Sequence, residues 1–163
     1  MKEETQHQNT EIEYHRESVD SYKDSGFIKS RTEQAQEVIS LIEGEFLLLD
    51  VELKGKKVLS VGSGTGFCER EFQKKGVDIV GLDYSKYMVE VSNTLCLENN
   101  LPPSFLVGDI SKPIDFEAES FDFVLCFQVF HHLRNIEQPI REIYRVLKPV
   151  AKLLFWKQIT ITL

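Results

Sequence analysis

Basic residues are scarce in this 163-residue chain: Lys and Arg number 19 against 26 Asp and Glu, a formal net charge of -7. A field of that sign repels polyanions, and no dense basic run offsets it, so nucleic acid is disfavoured as a partner. Cysteine is also sparse. Cys68, Cys96 and Cys126 are odd in number, widely spaced and form no CxxC pair. That excludes a zinc spacing and a disulfide framework, and predicts buried, reduced thiols. No apolar run approaches the roughly 18 residues of a membrane span, and the opening MKEETQHQNTEIEYH is too polar and acidic for a signal peptide. The expectation is a cytoplasmic chain with a small-molecule partner, away from membranes. There is no internal repeat and no low-complexity tract. What remains is ordinary globular composition, 42% hydrophobic and 28% charged, enough for one self-sufficient core.

Residues 1–11 are polar and expected to fray. Residues 12–26 mix polar and apolar positions, with Tyr14, Val19 and Tyr22 as the expected buried contacts and Gly26 as a break. Residues 1–31 are read as a helical cap segment ahead of a main domain over 32–163. That domain opens with a helix over 32–49. Short apolar strands then alternate with helices. Strands are expected at 57–61, 77–82, 104–107, 121–127 and 151–162. Helices are expected at 67–75, after Ser85 with Met88, Val91 and Leu95 inward, and at 137–148 with Ile140, Ile143, Tyr144 and Leu147 as its stripe. This alternation predicts an α/β fold, a Rossmann-like doubly wound parallel sheet covered on both faces. Ligands of such sheets bind at the carboxyl ends of the strands, near the reversal of strand order.

The residues that can do chemistry lie at those ends. Val58-Leu59-Ser60-Val61-Gly62-Ser63-Gly64-Thr65-Gly66-Phe67 places three alternating glycines between a strand and a helix. Glycine allows positive φ and close approach of a ligand to bare backbone, and the helix N-terminus favours a carboxylate or phosphate. The dinucleotide fingerprint needs glycine where Phe67 stands, so a nicotinamide or flavin cofactor is disfavoured, and no GK[ST] follows. A structural tight turn is the alternative. Asp83 ends the second strand and can accept hydrogen bonds from two ribose hydroxyls, or cap the next helix. Asp109, in Val107-Gly108-Asp109-Ile110, can accept from an adenine amine with Ile110 against the ring, or simply form a turn.

Together these segments, with Gly81-Leu82-Asp83-Tyr84-Ser85, Phe121-Asp122-Phe123-Val124-Leu125-Cys126, Val129-Phe130-His131-His132-Leu133 and Leu147-Lys148-Pro149, resemble the class I S-adenosylmethionine-dependent methyltransferases that act on small molecules. The resemblance covers about residues 12–157. It implies sheet order 3-2-1-4-5, S-adenosyl-L-methionine as cofactor, and direct in-line displacement onto a small-molecule acceptor. It implies cofactor contacts at Gly62, Ser63, Gly64, Asp83, Tyr84, Met88, Asp109, Ile110 and Phe127. Tyr14, Tyr22 and Arg31 lie in the N-terminal segment, which in similar proteins folds over the site; a tyrosine hydroxyl or Arg31 can meet the cofactor carboxylate, or each can be an ordinary surface or core residue. His131 and His132 follow the fourth strand. Either can accept a proton from the acceptor, or serve to cap and pack beside the cofactor. No metal is implied.

Three departures from the family pattern stand out. Ser60 occupies a position where the family usually carries an acid. Val150-Ala151 replace two common glycines. The chain stops at Leu163, where similar enzymes continue with a helix and a strand hairpin. The expectation is therefore an incomplete domain with a bare fifth strand over residues 153–163, open to self-association or a complementing chain. The alternative to an enzyme is a truncated or degenerate relative that binds cofactor or a partner chain without turnover.

Overall fold

The computed structural model describes residues 39, 40, 44, 52–127 and 129–156. The cap segment 1–31, most of the helix expected over 32–49, and residues 157–163 lie outside them. The elements run β1 (Lys57–Val61), α1 (Phe67–Lys74), β2 (Asp78–Asp83), α2 (Lys86–Glu98), β3 (Phe105–Val107), β4 (Phe121–Phe127), a 3-10 turn (Phe130–His132), α3 (Glu137–Val146) and β5 (Leu147–Trp156). The sheet order is β3-β2-β1-β4-β5, with every neighbouring pair parallel. The reversal falls between β1 and β4, as the methyltransferase resemblance implies.

Successive residues of a strand face opposite sides, and the core divides accordingly. Leu59, Val61, Leu82, Val124 and Cys126 face α3, where Ile143 and Val146 complete a cluster with Phe121, Ile110 and Ile114. Val58, Ile79, Phe123 and Leu125 face α1 and pack on Phe72, Val77 and Ile39. Ile39 and Gly44 are helical, in keeping with a helix before β1. A third cluster joins Val89 and Cys96 of α2 to Phe105 of β3. Leu59 is fully buried, and removal from water on that scale is worth about 1.5–3 kcal/mol per large aliphatic side chain.

Two helices present different faces from those the apolar pattern predicts. In α2 the buried residues are Met88, Val89, Ser92 and Cys96 rather than Met88, Val91 and Leu95. The helix turns a serine inward because that hydroxyl has a backbone carbonyl to bond, described below. In α3 the buried residues are Pro139, Glu142, Ile143 and Val146, while Tyr144 is 67% exposed. Glu142 takes the inward place because Arg145 binds its carboxylate at 2.7 Å and the Ile114 amide donates to it at 3.1 Å. The helix stops at Val146, earlier than expected, because Pro149 disfavours helical backbone just before it. Leu147 already pairs with Phe121, and the register then slips before Phe123 meets Lys152.

The three cysteines form no disulfide. Cys96 and Cys126 are buried and Cys68 is half-buried, and burial pushes the Cys126 thiol up to about 12. Among the described residues no helix is long and apolar enough to cross a membrane, and no cluster of potential metal ligands forms.

Candidate cofactor site

The glycine turn links β1 to α1 and takes left-handed backbone at Gly62 (φ 68°), Gly64 (φ 53°) and Gly66 (φ 68°). The three glycines are not equivalent. A Cβ at Gly62 would strike the Val129 side chain, which packs down from the segment after β4. A Cβ at Gly66 would strike the Phe105 ring. Their missing side chains are thus explained by packing. At Gly64 nothing among the described residues lies within 4 Å of where a Cβ would stand. Of the three, only Gly64 presents its backbone to open space.

That backbone is held from three sides. The Gly64 amide donates to Asp83 Oδ2 at 2.8 Å. Ser92 Oγ, from α2, lies 2.7 Å from both the Gly64 carbonyl and its own helix carbonyl at Met88, so its hydroxyl is shared between them. Arg70, buried in α1, donates through a guanidinium nitrogen to the Thr65 carbonyl. The amides of Gly62 and Ser63 both reach the Leu82 carbonyl at the end of β2. Ser63 Oγ is a buried polar atom with no hydrogen-bond partner among the described residues.

Asp83 is 6% exposed. Its second oxygen, Oδ1, accepts from the Ser85 amide at 2.9 Å, while the Ser85 hydroxyl caps α2 through the Met88 amide at 3.4 Å. Each carboxylate oxygen therefore holds one backbone N–H. The Asp83 carbonyl accepts from the Gly108 amide at 2.8 Å, which brings the β3 end alongside. Asp109 sits in that loop with Oδ1 on the Ser111 amide at 2.9 Å and Oδ2 on the Lys112 ammonium at 3.0 Å. Burial would raise its carboxyl, but the Lys112 and Ser111 hydrogen bonds outweigh it and hold the group below its usual range.

The structure thus brings Gly62, Ser63, Gly64, Asp83 and the Asp109 loop to one end of the sheet. Tyr84 is half-buried beside them and Met88 is buried in α2. Ile110 is 6% exposed and packs within the core. Phe127 closes β4. His131 and His132 occupy the 3-10 turn with ring centroids 3.9 Å apart, and both are exposed. Tyr14 and Arg31 lie outside the described residues. Ser92 and Arg70 were not apparent as turn-holding residues. Ser92 stands four residues after Met88 and so shares its face, a detectable spacing. Arg70 gives no such signal, because a charged residue on a helix usually faces water.

Known proteins resemble this chain in sequence and fold. The family model for a methyltransferase domain matches residues 59–155. A relative in Hahella chejuensis, named ubiquinone biosynthesis O-methyltransferase, is 33% identical over 103 residues, 63% of this chain and 43% of that protein. A solved structure from Pyrococcus horikoshii OT3 aligns with a TM-score of 0.65 and 28% identity, covering 81% of this chain and 58% of that one. A SAM-dependent methyltransferase from Aquifex aeolicus aligns with a TM-score of 0.58 and 28% identity, over 68% of this chain and 61% of that one. The chain spans about half the length of the curated relatives it matches. With sheet order, glycine turn and matched residues in agreement, the chain belongs to the methyltransferase-domain family.

Proposed function

We propose that the chain binds S-adenosyl-L-methionine and directs its methyl group to a small-molecule acceptor by direct in-line displacement. The observation that carries this is Gly64: bare backbone, left-handed, facing open space, and held by Asp83 and Ser92. The residues fit the cofactor. The α1 N-terminus suits a carboxylate, Asp83 places a carboxylate beside the turn to meet ribose hydroxyls, and Ser63 Oγ is a buried hydroxyl with no partner among the described residues. When bound, the cofactor supplies a methyl group activated by a sulfonium.

The protein's part is then alignment and exclusion of water, which in well-oriented systems is worth about 7–11 kcal/mol of barrier. Gly62, Ser63 and Gly64 hold the amino-acid end, Asp83 and Tyr84 the ribose, and Asp109 and Ile110 the adenine, with Met88 and Phe127 alongside. Tyr14 and Arg31, which lie outside the described residues, are the proposed groups to meet the carboxylate. The Hahella relative is named for O-methyl transfer, and a hydroxyl acceptor is proposed on that model. His131, with His132 beside it, is the proposed group to take the hydroxyl proton. The proposed setting is the cytoplasm.

Calorimetric titration with S-adenosylmethionine and with its demethylated product tests the site, and a turnover assay on a metabolite extract tests the reaction. Binding of both ligands with methyl incorporation into a small molecule is expected. Binding without turnover would move the assignment to a cofactor-binding relative. No binding at all would sink both.

A further inference from the structure

Beneath the glycine turn lies a polar pair that the proposed function does not use. Ser60, the penultimate residue of β1, is fully buried, and its hydroxyl donates to Glu69 Oε1 at 2.6 Å. Glu69 lies in the first turn of α1 and is 3% exposed. Residues 60 and 69 therefore stand on opposite sides of the turn, and one hydrogen bond in a desolvated setting joins strand to helix across it. Burying an acid is costly unless it is well bonded. The cost here is offset by Ser60, by the positive end of α1 and by the neighbouring Arg70, whose guanidinium bonds the Thr65 carbonyl and lies 5.0 Å from the centre of the Phe67 ring. Asp83, from β2, holds the Gly64 amide, and its charge also works against ionisation of Glu69. The methyltransferase resemblance expects an acid at position 60. In this chain position 60 is a hydroxyl, and the carboxylate reaches it from the following helix.

We propose that Glu69 is a positioning residue: through Ser60 it sets the distance between the end of β1 and the start of α1, and so the conformation in which Gly64 offers its backbone to the cofactor. The effect on the cofactor rests on the function proposed above. The effect on the turn does not. Four amides of the turn report its geometry without any ligand, because those of Gly62, Ser63, Gly64 and Gly66 are all hydrogen-bonded.

The test uses the full chain with Ser60→Ala, Glu69→Ala, Glu69→Gln and the double alanine variant. Amide hydrogen exchange is followed in the ligand-free proteins, and the affinities for S-adenosylmethionine and its demethylated product are measured by calorimetry well below each melting temperature. Ser60→Ala and Glu69→Ala should each speed exchange in the turn about tenfold, leaving the β2 amides at 79–82 unchanged. Both ligands should weaken about tenfold, and the double variant should lie within about threefold of either single one, because the two residues act as one unit. Glu69→Gln keeps an acceptor oxygen and should behave like wild type in both measurements. Wild-type exchange in the turn of Glu69→Ala, or Glu69→Gln as impaired as Glu69→Ala, overturns the proposal. The same holds if Glu69→Ala lowers the melting temperature without weakening either ligand. A wild-type protein that binds neither ligand refutes the cofactor assignment instead, and the exchange measurements still decide whether Glu69 holds the turn.

Discussion

Gly64 and Gly66 sit two residues apart with similar backbone, yet their surroundings differ. Both take positive φ, which costs an L-residue about 1–2 kcal/mol. At Gly66 an added Cβ also meets the Phe105 ring, and overpacking of that kind costs about 1–3 kcal/mol more. Gly66→Ala should therefore destabilise the ligand-free fold distinctly more than Gly64→Ala in urea titrations. Gly64→Ala should do its damage in calorimetry, with cofactor affinity down about tenfold or more, about 1.4 kcal/mol. Equal effects of the two variants on both quantities would remove the reason for singling out Gly64. Glu69 carries a prediction of its own. Burial pushes its carboxyl above the usual range, against the Ser60 hydrogen bond and Arg70. The folded protein then holds that proton at pH values where the unfolded chain has lost it, so this group makes stability fall as pH rises from the usual carboxyl range through the raised folded value. Asp109 and Glu142 are depressed. Their contribution is present above the usual range and is lost as pH falls through their lowered values. Glu69→Gln should thus gain stability relative to wild type as pH rises across the first window. A difference in melting temperature that does not change with pH would show that Glu69 does not titrate there.

Among the elements, α2 is where polarity misleads. Its inward face carries Ser92 and Cys96, neither of which scores as strongly apolar, so periodicity selects Val91 and Leu95 instead. Both of those are half-buried. The orientation is decided by Phe105 of β3 on one side and the Gly64 carbonyl on the other. Ser92→Ala should cost about 1 kcal/mol, the usual net value of one such hydrogen bond, measured by chemical unfolding. Ser92→Thr, which keeps the hydroxyl but adds a methyl group at a fully buried position, should be no better tolerated than alanine if the site is as tightly packed as it looks. In α3 the same lesson holds in reverse. Glu142 is inward because Arg145 and the Ile114 amide satisfy it, and Arg145 also donates to the Phe116 carbonyl at 2.7 Å. Ile114 and Phe116 belong to the β3–β4 connection, 28 residues before Glu142 and 29 before Arg145 respectively, beyond the reach of any local pattern.

For the whole molecule, ligand linkage gives the broadest check. A ligand bound only by the folded state stabilises it by about 2.7 kcal/mol at a concentration one hundred times its dissociation constant. In a chain of this size that corresponds to a rise in melting temperature of roughly 5–10 °C. S-adenosylmethionine should produce such a rise, and NAD should not, since Phe67 stands where the dinucleotide turn needs glycine. A shift with NAD and none with S-adenosylmethionine would reverse the assignment.

The resemblance to a known family implied the reversal between β1 and β4, while the residue pattern alone determined the order of elements, the parallel sheet, and the place of the glycine turn, Asp83 and Asp109. Each of the latter is a local signal: apolar runs of strand length, glycine spacing, a polar residue directly after a strand. Tertiary structure decided what those residues touch. It showed that Gly62 and Gly66 accommodate Val129 and Phe105 while Gly64 stays open, and that Asp83 holds the glycine turn with one oxygen and the Ser85 amide with the other. It also showed that Ser60 is paired with a carboxylate from the next helix. Such contacts join residues far apart in the chain, and their existence depends on how the helices seat against the sheet, which no spacing rule encodes.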